Sequence, residues 1–441
     1  MASLKKQALV LTIANAYTRA LGFVLRLVTA RLMGAQALGV MELSSSAVML
    51  AITPVTAGIP TAMSRLTAQK GADEKAVLRA GLSLVRRLSA WLTPAMLLLS
   101  PAIAWLLGDW RTLPSVLTSI PLIILLGLCA VYSGWFYGRD DASTPAFNEC
   151  VEQTVRCVLA LLLLTHFAHQ SVAVTAALPN IAEVAAGIAV WMLFLRKTPR
   201  LSTHRPDAAI RREIIRLTAP TTAARLCQTA LRALNAVLLP VCLRHSGLSQ
   251  AAATAQFGLL NGMAMPLLML PGIVTGAICM VATPAVSRQE GQQARLQHTM
   301  RQLLMSAGGV GAVASIGLFL GADFISTRLY REAALAPLLR LMSPAALLMA
   351  VQQVQFGLIT GLGIQNKALT GTVIASFLTL GVTAALCPLP GVRLYGAAIA
   401  SLTGTALRVI WNHCVLRFAR QDLSTSLPCL NFPDNPAGSA H

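Results

Sequence analysis

The sequence predicts an all-α polytopic membrane protein, with about twelve transmembrane helices arranged as two six-helix bundles. Of its 441 residues, 55% are hydrophobic and only 12% are charged, whereas a soluble domain carries about 25% charged residues. The hydrophobic residues fall in blocks of about 20 or more, the length that crosses a hydrocarbon core of roughly 30 Å as a helix. The sequence lacks the short alternating strands that a membrane β-barrel requires.

The predicted spans follow one another with short connections, and a basic segment divides them into two halves. We predict an N-terminal bundle over residues 1–200, a basic cytoplasmic linker at 201–212, a C-terminal bundle over 213–418 and a polar tail at 419–441. The tail is rich in Pro, Asn, Ser and Gly, a composition typical of disorder. The twelve spans are predicted at 8–33, 38–66, 79–107, 113–137, 146–168, 172–195, 213–243, 255–285, 300–321, 334–361, 368–388 and 395–418.

Much of the net charge of +19 lies at helix ends and in short loops. With the N-terminus inside, most Lys and Arg of the loops lie on the inner side, as the positive-inside rule requires. The outer loops hold few of them: Arg111, Arg244, Arg328, Arg331 and Arg393. The sequence therefore predicts a bacterial plasma-membrane protein with both termini in the cytoplasm and contacts to membrane lipids. No basic tract is interleaved with aromatic residues, so we expect no nucleic-acid partner.

The two halves carry similar features at matching positions. The second span ends in PTAMSR at 60–65 and the eighth ends in PAVSR at 284–288, each before a charged loop. Six spans is an even number, so the two copies have the same orientation, related by an axis along the membrane normal. Transporters built from such repeats bind substrate between the halves and rock them. The alternative is chance similarity in a sequence rich in Ala and Leu.

Four arginines inside the predicted spans are the main candidate substrate-binding residues. Arg19 and Arg26 in the first span, and Arg225 and Arg232 in the seventh, are each seven residues apart, so each pair lies on one helix face. An arginine at the bilayer centre costs about 2.5–3.5 kcal/mol on insertion scales, so such a face is expected to line a polar cavity. Guanidinium groups match phosphate oxygens, and the pattern predicts a cavity for an anionic head group such as a pyrophosphate. The alternative is that these arginines pair with helix-end carbonyls or buried acids.

Acidic residues inside the spans are candidates for gating and coupling. Glu152 and Arg156 are four residues apart in the fifth span, and an acid and a base at this spacing can pair. We predict that this pair either holds the helices together near the inner mouth or forms part of a gate. Glu183 lies in the middle of the sixth span, where it is predicted to be either a counter-ion for one of the arginines or a protonatable coupling group.

Nothing in the sequence predicts catalysis. It contains no HExxH, phosphate loop or serine elbow, and most histidines lie at loops or helix ends. Most of the nine cysteines lie within hydrophobic runs and have no metal-ligand spacing. We therefore expect no enzyme activity, no catalytic residues, no metal site and no cofactor.

Several motifs resemble the polysaccharide flippases, in particular the stage V sporulation protein B-like family. They are TRALGF at 18–23, ARLMGA at 30–35, TAGIP at 56–60, VEQ at 151–153 and ATAQFG at 253–258. The resemblance runs from about residue 5 to about residue 418. It implies membership of the multidrug/oligosaccharidyl-lipid/polysaccharide exporter (MATE/MOP) superfamily, which includes the lipid II flippases. That membership implies two six-helix bundles in a V shape and alternating access.

The resemblance also implies a cargo. This cargo is a lipid-linked oligosaccharide or peptidoglycan precursor used in cell-wall or spore-cortex synthesis, with cell-wall synthesis enzymes as candidate partners. By motif position the resemblance extends to Arg19, Arg26, Glu152 and Arg156, whereas the roles of the two arginines in the seventh span rest on the repeat.

The sequence departs from the family pattern in two ways. Many members have fourteen helices instead of the twelve predicted here, and Asn261 stands in a region where the lipid II flippases carry a cavity arginine. Two alternative functions stay open. A cation-coupled multidrug exporter would need acids in its cavity, whereas spans one and seven contribute arginines. A non-transporting envelope-assembly scaffold is the other alternative, and the arginines within the spans of both halves argue against it.

Overall fold

A computed structural model of the chain describes residues 2–71, 73–167, 170–198, 207–279 and 293–425. Within these ranges every regular element is helical, which confirms the predicted all-α class. The N-terminal half contains α1 (Ala2–Thr56), α2 (Ile59–Thr67), α3 (Glu74–Leu106), the 3-10 turn Trp110–Thr112, α4 (Leu113–Ser119), α5 (Pro121–Gly138), α6 (Ser143–Phe167) and α7 (Val172–Lys197).

The C-terminal half begins with one long helix and continues with a broken span. Its elements are α8 (Ala208–His245), α9 (Gln250–Gly258), a π-helical segment (Leu259–Ala264), α10 (Met265–Leu268), α11 (Gly272–Cys279), α12 (Gln293–Leu320), α13 (Ala322–Phe324), a second π-helical segment (Ile325–Tyr330), α14 (Leu335–Gly361), α15 (Gln365–Leu386) and α16 (Leu394–Thr425).

The number of membrane crossings in the described ranges agrees with the prediction. Ten helical stretches are long and apolar enough to cross a membrane, and the bent stretch from α9 to α11 raises the number to eleven. The first stretch, Val10–Thr67, has 58 residues, or about 87 Å of helix, nearly three times the thickness of a hydrocarbon core. Gly34 interrupts it with φ 72° and ψ 170°, values that glycine adopts without steric penalty. The segments on its two sides, α1a (residues 2–33) and α1b (residues 35–56), therefore count as two crossings. Together with the bent span they bring the number of crossings to twelve.

The boundaries of the halves differ from those predicted. The carboxylate of Asp207 accepts a hydrogen bond of 2.7 Å from the N–H of Ala209 and caps α8. Residues 208–212 are therefore helical, and residues 201–206 of the predicted linker lie outside the described ranges. The last helix continues to Thr425, so the predicted tail begins as helix. The rest of that tail and the PAVSR motif at 284–288 also lie outside the described ranges.

Buried side chains join the two halves at both ends of the molecule. We call the end where α1 begins the N-terminal face, and the other end the opposite face. Towards the opposite face, Leu38 and Leu43 of α1b pack in one hydrophobic cluster with Leu243 of α8 and Phe257 of α9. Nearer the N-terminal face, Ile214 of α8 is fully buried in the cluster formed by α2, α3, α5 and α7. Thus α1 and α8, the first helices of the two halves, each pack against the other half.

The eighth span is broken, although the sequence predicted it as one helix. A bend of 50° separates the stretch Gln250–Leu268 from Gly272–Cys279. Proline causes such breaks because it lacks a backbone N–H and its ring clashes with the preceding turn. Pro271 lies at the bend, directly before α11. Broken membrane helices often present backbone groups at binding sites.

Candidate functional site

A cavity of about 800 Å³ lies between the two halves. Both halves contribute to its wall, with α1a, α1b, α6 and α7 from one and α8, the α9–α11 span, α14, α15 and α16 from the other. Five arginines and two glutamates among the described residues line it, a formal excess of three positive charges. These residues are Arg19, Arg26, Arg156, Arg232, Arg408, Glu42 and Glu183.

Each cavity glutamate lies beside an arginine of the N-terminal half. Glu42 Oε1 is 3.5 Å from Arg26 Nη1, and Glu183 Oε1 is 3.5 Å from Arg156 Nη1. Arg26 nonetheless keeps 52% of its side chain accessible, so it can still reach a ligand. The sequence leaves open whether Glu183 is a counter-ion, and in the structure Glu183 lies beside Arg156 as a counter-ion would. A role for Glu183 in coupling stays a prediction.

Arg19 bonds to the break in the eighth span. Its Nη1 donates a hydrogen bond of 2.8 Å to the carbonyl oxygen of Gly272, the first residue of α11. Gln353 of α14 holds the same turn, since its Oε1 accepts a bond of 2.8 Å from Thr275 Oγ1. A side chain at Gly276 would crowd this arrangement, because an added Cβ would lie 3.1 Å from Arg19 Nη1. Arg19 therefore lines the cavity and also joins the halves through a helix-end carbonyl, an arrangement that the sequence analysis had considered.

Arg232 and Arg408 form the positive wall of the C-terminal half. Arg408 Nη2 donates a hydrogen bond of 3.1 Å to Thr405 Oγ1 on the same helix. Its Nε is buried and has no hydrogen-bond partner among the described residues, and the same is true of Asn235 Oδ1. Arg408 is not among the arginines predicted from the sequence. Its position in the middle of the predicted span 395–418 is a signal for it, but the repeat predicts only the arginines of spans one and seven.

Arg225 does not line this cavity. It is an exposed residue of α8. Seven residues place it on the same side of the helix as Arg232 but about 10 Å away along the axis, and this separation takes it past the cavity wall. The predicted set of four cavity arginines is therefore corrected to Arg19, Arg26 and Arg232, joined by Arg156 and Arg408. Whether any of them binds substrate stays a prediction.

A second cavity, of about 510 Å³, lies inside the N-terminal bundle. Glu149, Glu152 and Glu183 line it, and Glu183 faces the central cavity as well. The predicted pairing within α6 is replaced by pairing between helices, because Arg156 makes its ion pair with Glu183 of α7. Arg156 also donates a hydrogen bond to Gln153 Oε1. Glu152 instead faces the second cavity, and its role in gating stays a prediction.

Close contact between the halves ends the central cavity at the opposite face. A Cβ added at Gly39 would lie 2.1 Å from the carbonyl oxygen of Thr254, so α1b and α9 pack backbone to backbone. Small residues permit this approach between membrane helices. Beside the contact, Thr254 Oγ1 donates a bond of 3.0 Å to Asp109 Oδ2, and the carboxylate of Asp109 also accepts from Arg111. We call Asp109, Arg111 and Thr254 the latch. In this conformation the two halves are shut at the opposite face.

The described residues contain no group of three or more His, Cys, Asp or Glu side chains arranged to hold a metal ion. The site combines guanidinium groups, two carboxylates and uncharged polar side chains with apolar side chains such as Phe23 and Met265.

Comparisons with known proteins identify the fold and the family. A family model described as polysaccharide biosynthesis protein matches residues 4–290. Stage V sporulation protein B of Bacillus subtilis (strain 168) is 29% identical over 424 residues, which cover 91% of this chain and 81% of that protein.

Solved structures that share the fold include two transporters. One is described as the inward-facing conformation of a multidrug resistance MATE family transporter of the MOP superfamily, with TM-score 0.70, 16% identity and coverage of 95% of this chain and 96% of that chain. The other is a MOP superfamily transporter from Pyrococcus furiosus Vc1 (DSM3638), reported under the words "reverse polarity of binding pocket suggests different function". It has TM-score 0.64, 16% identity and coverage of 96% of this chain and 97% of that chain. The chain therefore shares the fold of these two transporter structures.

Proposed function

Because the chain belongs to the polysaccharide biosynthesis protein family, we propose that it is a flippase for a lipid-linked oligosaccharide or a peptidoglycan precursor. The observation that carries the proposal is the excess of three positive charges on the wall of the cavity between the halves. The diphosphate that joins the sugar to its lipid would occupy this cavity, while the lipid chain stays in the bilayer. Arg19, Arg26 and Arg232 are the proposed substrate-binding residues.

The charge distribution supports an anionic cargo over the cationic cargo of a multidrug exporter. Both carboxylates of the central cavity lie 3.5 Å from an arginine, so neither is left to attract a cation. A desolvated arginine inside a membrane is costly unless a negative group compensates it. An anionic head group supplies that compensation, and a scaffold without a substrate would supply none.

The cavity size supports a head group as the occupant. A volume of about 800 Å³ lies within the range of about 300–1,000 Å³ typical of small-molecule sites. It holds a diphosphate with the first sugars, whereas a long polyprenyl chain does not fit. We propose that the chain lies in the bacterial plasma membrane with both termini in the cytoplasm, in agreement with the positive loops on that side. The latch then closes the outer face while the head group enters from the cytoplasm.

The test is head-group translocation by purified protein in proteoliposomes. Polyprenyl-diphosphate sugars labelled on the head group are loaded in one leaflet, and exposure in the other leaflet is followed with an impermeant reagent. We expect wild-type protein to translocate them, and Arg26→Gln and Arg232→Gln to lower the rate by roughly tenfold or more, since a hydrogen bond to a charged group contributes about 1.5–3 kcal/mol. Arg417→Gln is the matched control, because Arg417 is an exposed arginine of α16 away from the cavity.

A comparison of Arg225 with Arg232 tests whether the arginines predicted from the sequence or those that line the cavity bind the substrate. Arg225→Gln is expected to lower the rate less than Arg232→Gln, because Arg225 does not line the cavity. Wild-type rates for Arg26→Gln and Arg232→Gln, or translocation of cationic drugs in place of the anionic lipid, would reject the proposed function.

A further inference from the structure

The five cavity arginines differ in how their charge is compensated. Arg26 and Arg156 each have a carboxylate at 3.5 Å. Arg19 is bonded to a backbone carbonyl oxygen. Arg232 and Arg408 have no carboxylate within 4.0 Å in the part of the chain that the structure describes. The unbalanced positive charge of the cavity is therefore concentrated on the C-terminal half.

The helices that carry these two arginines offer no acid to balance them. The one acidic residue of α8 is Glu213, near the start of the helix, and it pairs with Arg216. In α16 no acidic residue precedes Asp422, near the helix end. Arg232 and Arg408 also repel each other electrostatically. Arg232 is exposed and Arg408 is half-buried, and a negative group placed between two such cations would relieve their repulsion.

The surrounding groups are suited to phosphate oxygens. Arg408 lines the central cavity, and its Nε, although buried, has no hydrogen-bond partner among the described residues. Arg232 and Asn235 are three residues apart on α8, and Arg408 and Thr405 are three apart on α16, so each pair lies on one helix face. All four side chains line the central cavity. Two guanidinium forks, with an amide and a hydroxyl beside them, match the several oxygens of a diphosphate.

We propose that Arg232 and Arg408, assisted by Asn235, form a diphosphate-binding subsite carried entirely by the C-terminal half. This inference rests on the proposed function and goes further, because it assigns the phosphates to one half of the transporter. The paired arginines of the N-terminal half lie across the cavity, nearer the sugars. When the halves change their relative orientation, the head group moves with α8 and α16.

The first test measures binding of three probes to the full chain in nanodiscs: a polyprenyl diphosphate without sugar, the corresponding polyprenyl monophosphate, and inorganic pyrophosphate. We expect the diphosphate lipid to bind more tightly than the monophosphate. Arg232→Gln and Arg408→Gln are each expected to weaken diphosphate binding by roughly tenfold to a hundredfold. Arg408→Lys keeps the charge but loses the planar fork, and an intermediate loss is expected. Arg417→Gln, on the same helix as Arg408, should bind like wild type.

The second test separates a binding role from a structural one through the melting temperature. A ligand that binds the folded protein raises this temperature. Arg408→Gln removes a repulsive charge, so without ligand it should melt at the wild-type temperature or above it, yet show no rise with the diphosphate lipid. A lower melting temperature without ligand, combined with an undiminished ligand-induced rise, would overturn the subsite.

The outcomes separate the subsite from the proposed function. Wild-type diphosphate affinity in both Arg232→Gln and Arg408→Gln overturns the subsite, even if wild-type protein translocates lipid-linked sugars. Arg408-dependent binding of inorganic pyrophosphate without binding of either lipid supports the subsite and overturns the proposed cargo.

Discussion

Replacement of Gly258 by Ala should force the two halves apart at the opposite face. A Cβ added there would lie 2.1 Å from the carbonyl oxygen of Ala35 and 2.6 Å from the backbone nitrogen of Gly39. Ordinary contact begins at 3.4 Å, so α9 must move away from α1b by about 1.3 Å, the difference between 3.4 and 2.1 Å. Overpacking of this kind costs about 1–3 kcal/mol. The cost falls on the closed conformation, so the closed population should decrease about 5- to 150-fold relative to the open one.

The assay is the distance between spin labels on the two halves, measured by pulsed electron paramagnetic resonance in a cysteine-free background. Trp110 and His245 are exposed at this face, one in each half, and suit the labels. Wild-type protein should show mainly the short distance and Gly258→Ala a longer one. Gly308→Ala is the matched control, because an added Cβ at Gly308 meets no atom within 4 Å. Identical distance distributions in Gly258→Ala and Gly308→Ala would refute the reasoning.

Two further predictions concern the acids of the latch and of the central cavity. The pKa of Asp109 is raised by burial but lowered more strongly by hydrogen bonds from Arg111 and Thr254, and lies below its ordinary value of 3.8. Because the pKa of Asp109 is lowered in the folded protein, ionised Asp109 stabilises the closed latch at pH values above 3.8. This stabilisation is lost as the pH falls through the lowered pKa. The label distance should therefore stay constant from about pH 8 to about pH 5, whereas Asp109→Asn should lengthen it throughout; lengthening already at pH 5 in wild type would contradict this. Glu183→Gln should leave Arg156 without its ion pair. The variant should then bind the anionic lipid at least as tightly as wild type does, but its translocation should be slower and should no longer respond to a pH gradient. An unchanged rate with an unchanged pH response would remove Glu183 from coupling.

Local sequence patterns predicted much of the fold, because they show which segments are hydrophobic and which residues share one face of a helix. Hydrophobic blocks long enough to cross a bilayer appear directly in the sequence, and so does an arginine inside such a block. The positions of Arg19, Arg26 and Arg232 on the cavity wall agree with this reasoning. Arg408 also lies inside such a hydrophobic block, but the repeat predicted only the arginines of spans one and seven.

The sequence did not show which residues of different helices pair with each other. The spacing of four residues suggested that Arg156 pairs with Glu152, but the structure pairs Arg156 with Glu183. Arg19 bonds to Gly272, 253 residues away along the chain. Helix periodicity fixes the face of a residue, but the neighbouring helix, its depth and its breaks decide which group lies opposite that face.

The amino-acid sequence is sufficient to show that this chain spans a membrane many times as an α-helical protein, and that several cations lie inside its spans. The packing of the helices is needed to show which cations share a cavity, which ones a carboxylate neutralises, and that the unbalanced pair, Arg232 and Arg408, belongs to one half. The difference lies in the range of each effect. Hydrophobic burial and the cost of a buried charge depend on a residue and its own helix, whereas compensation of that charge depends on groups brought within about 4 Å by the packing of distant helices.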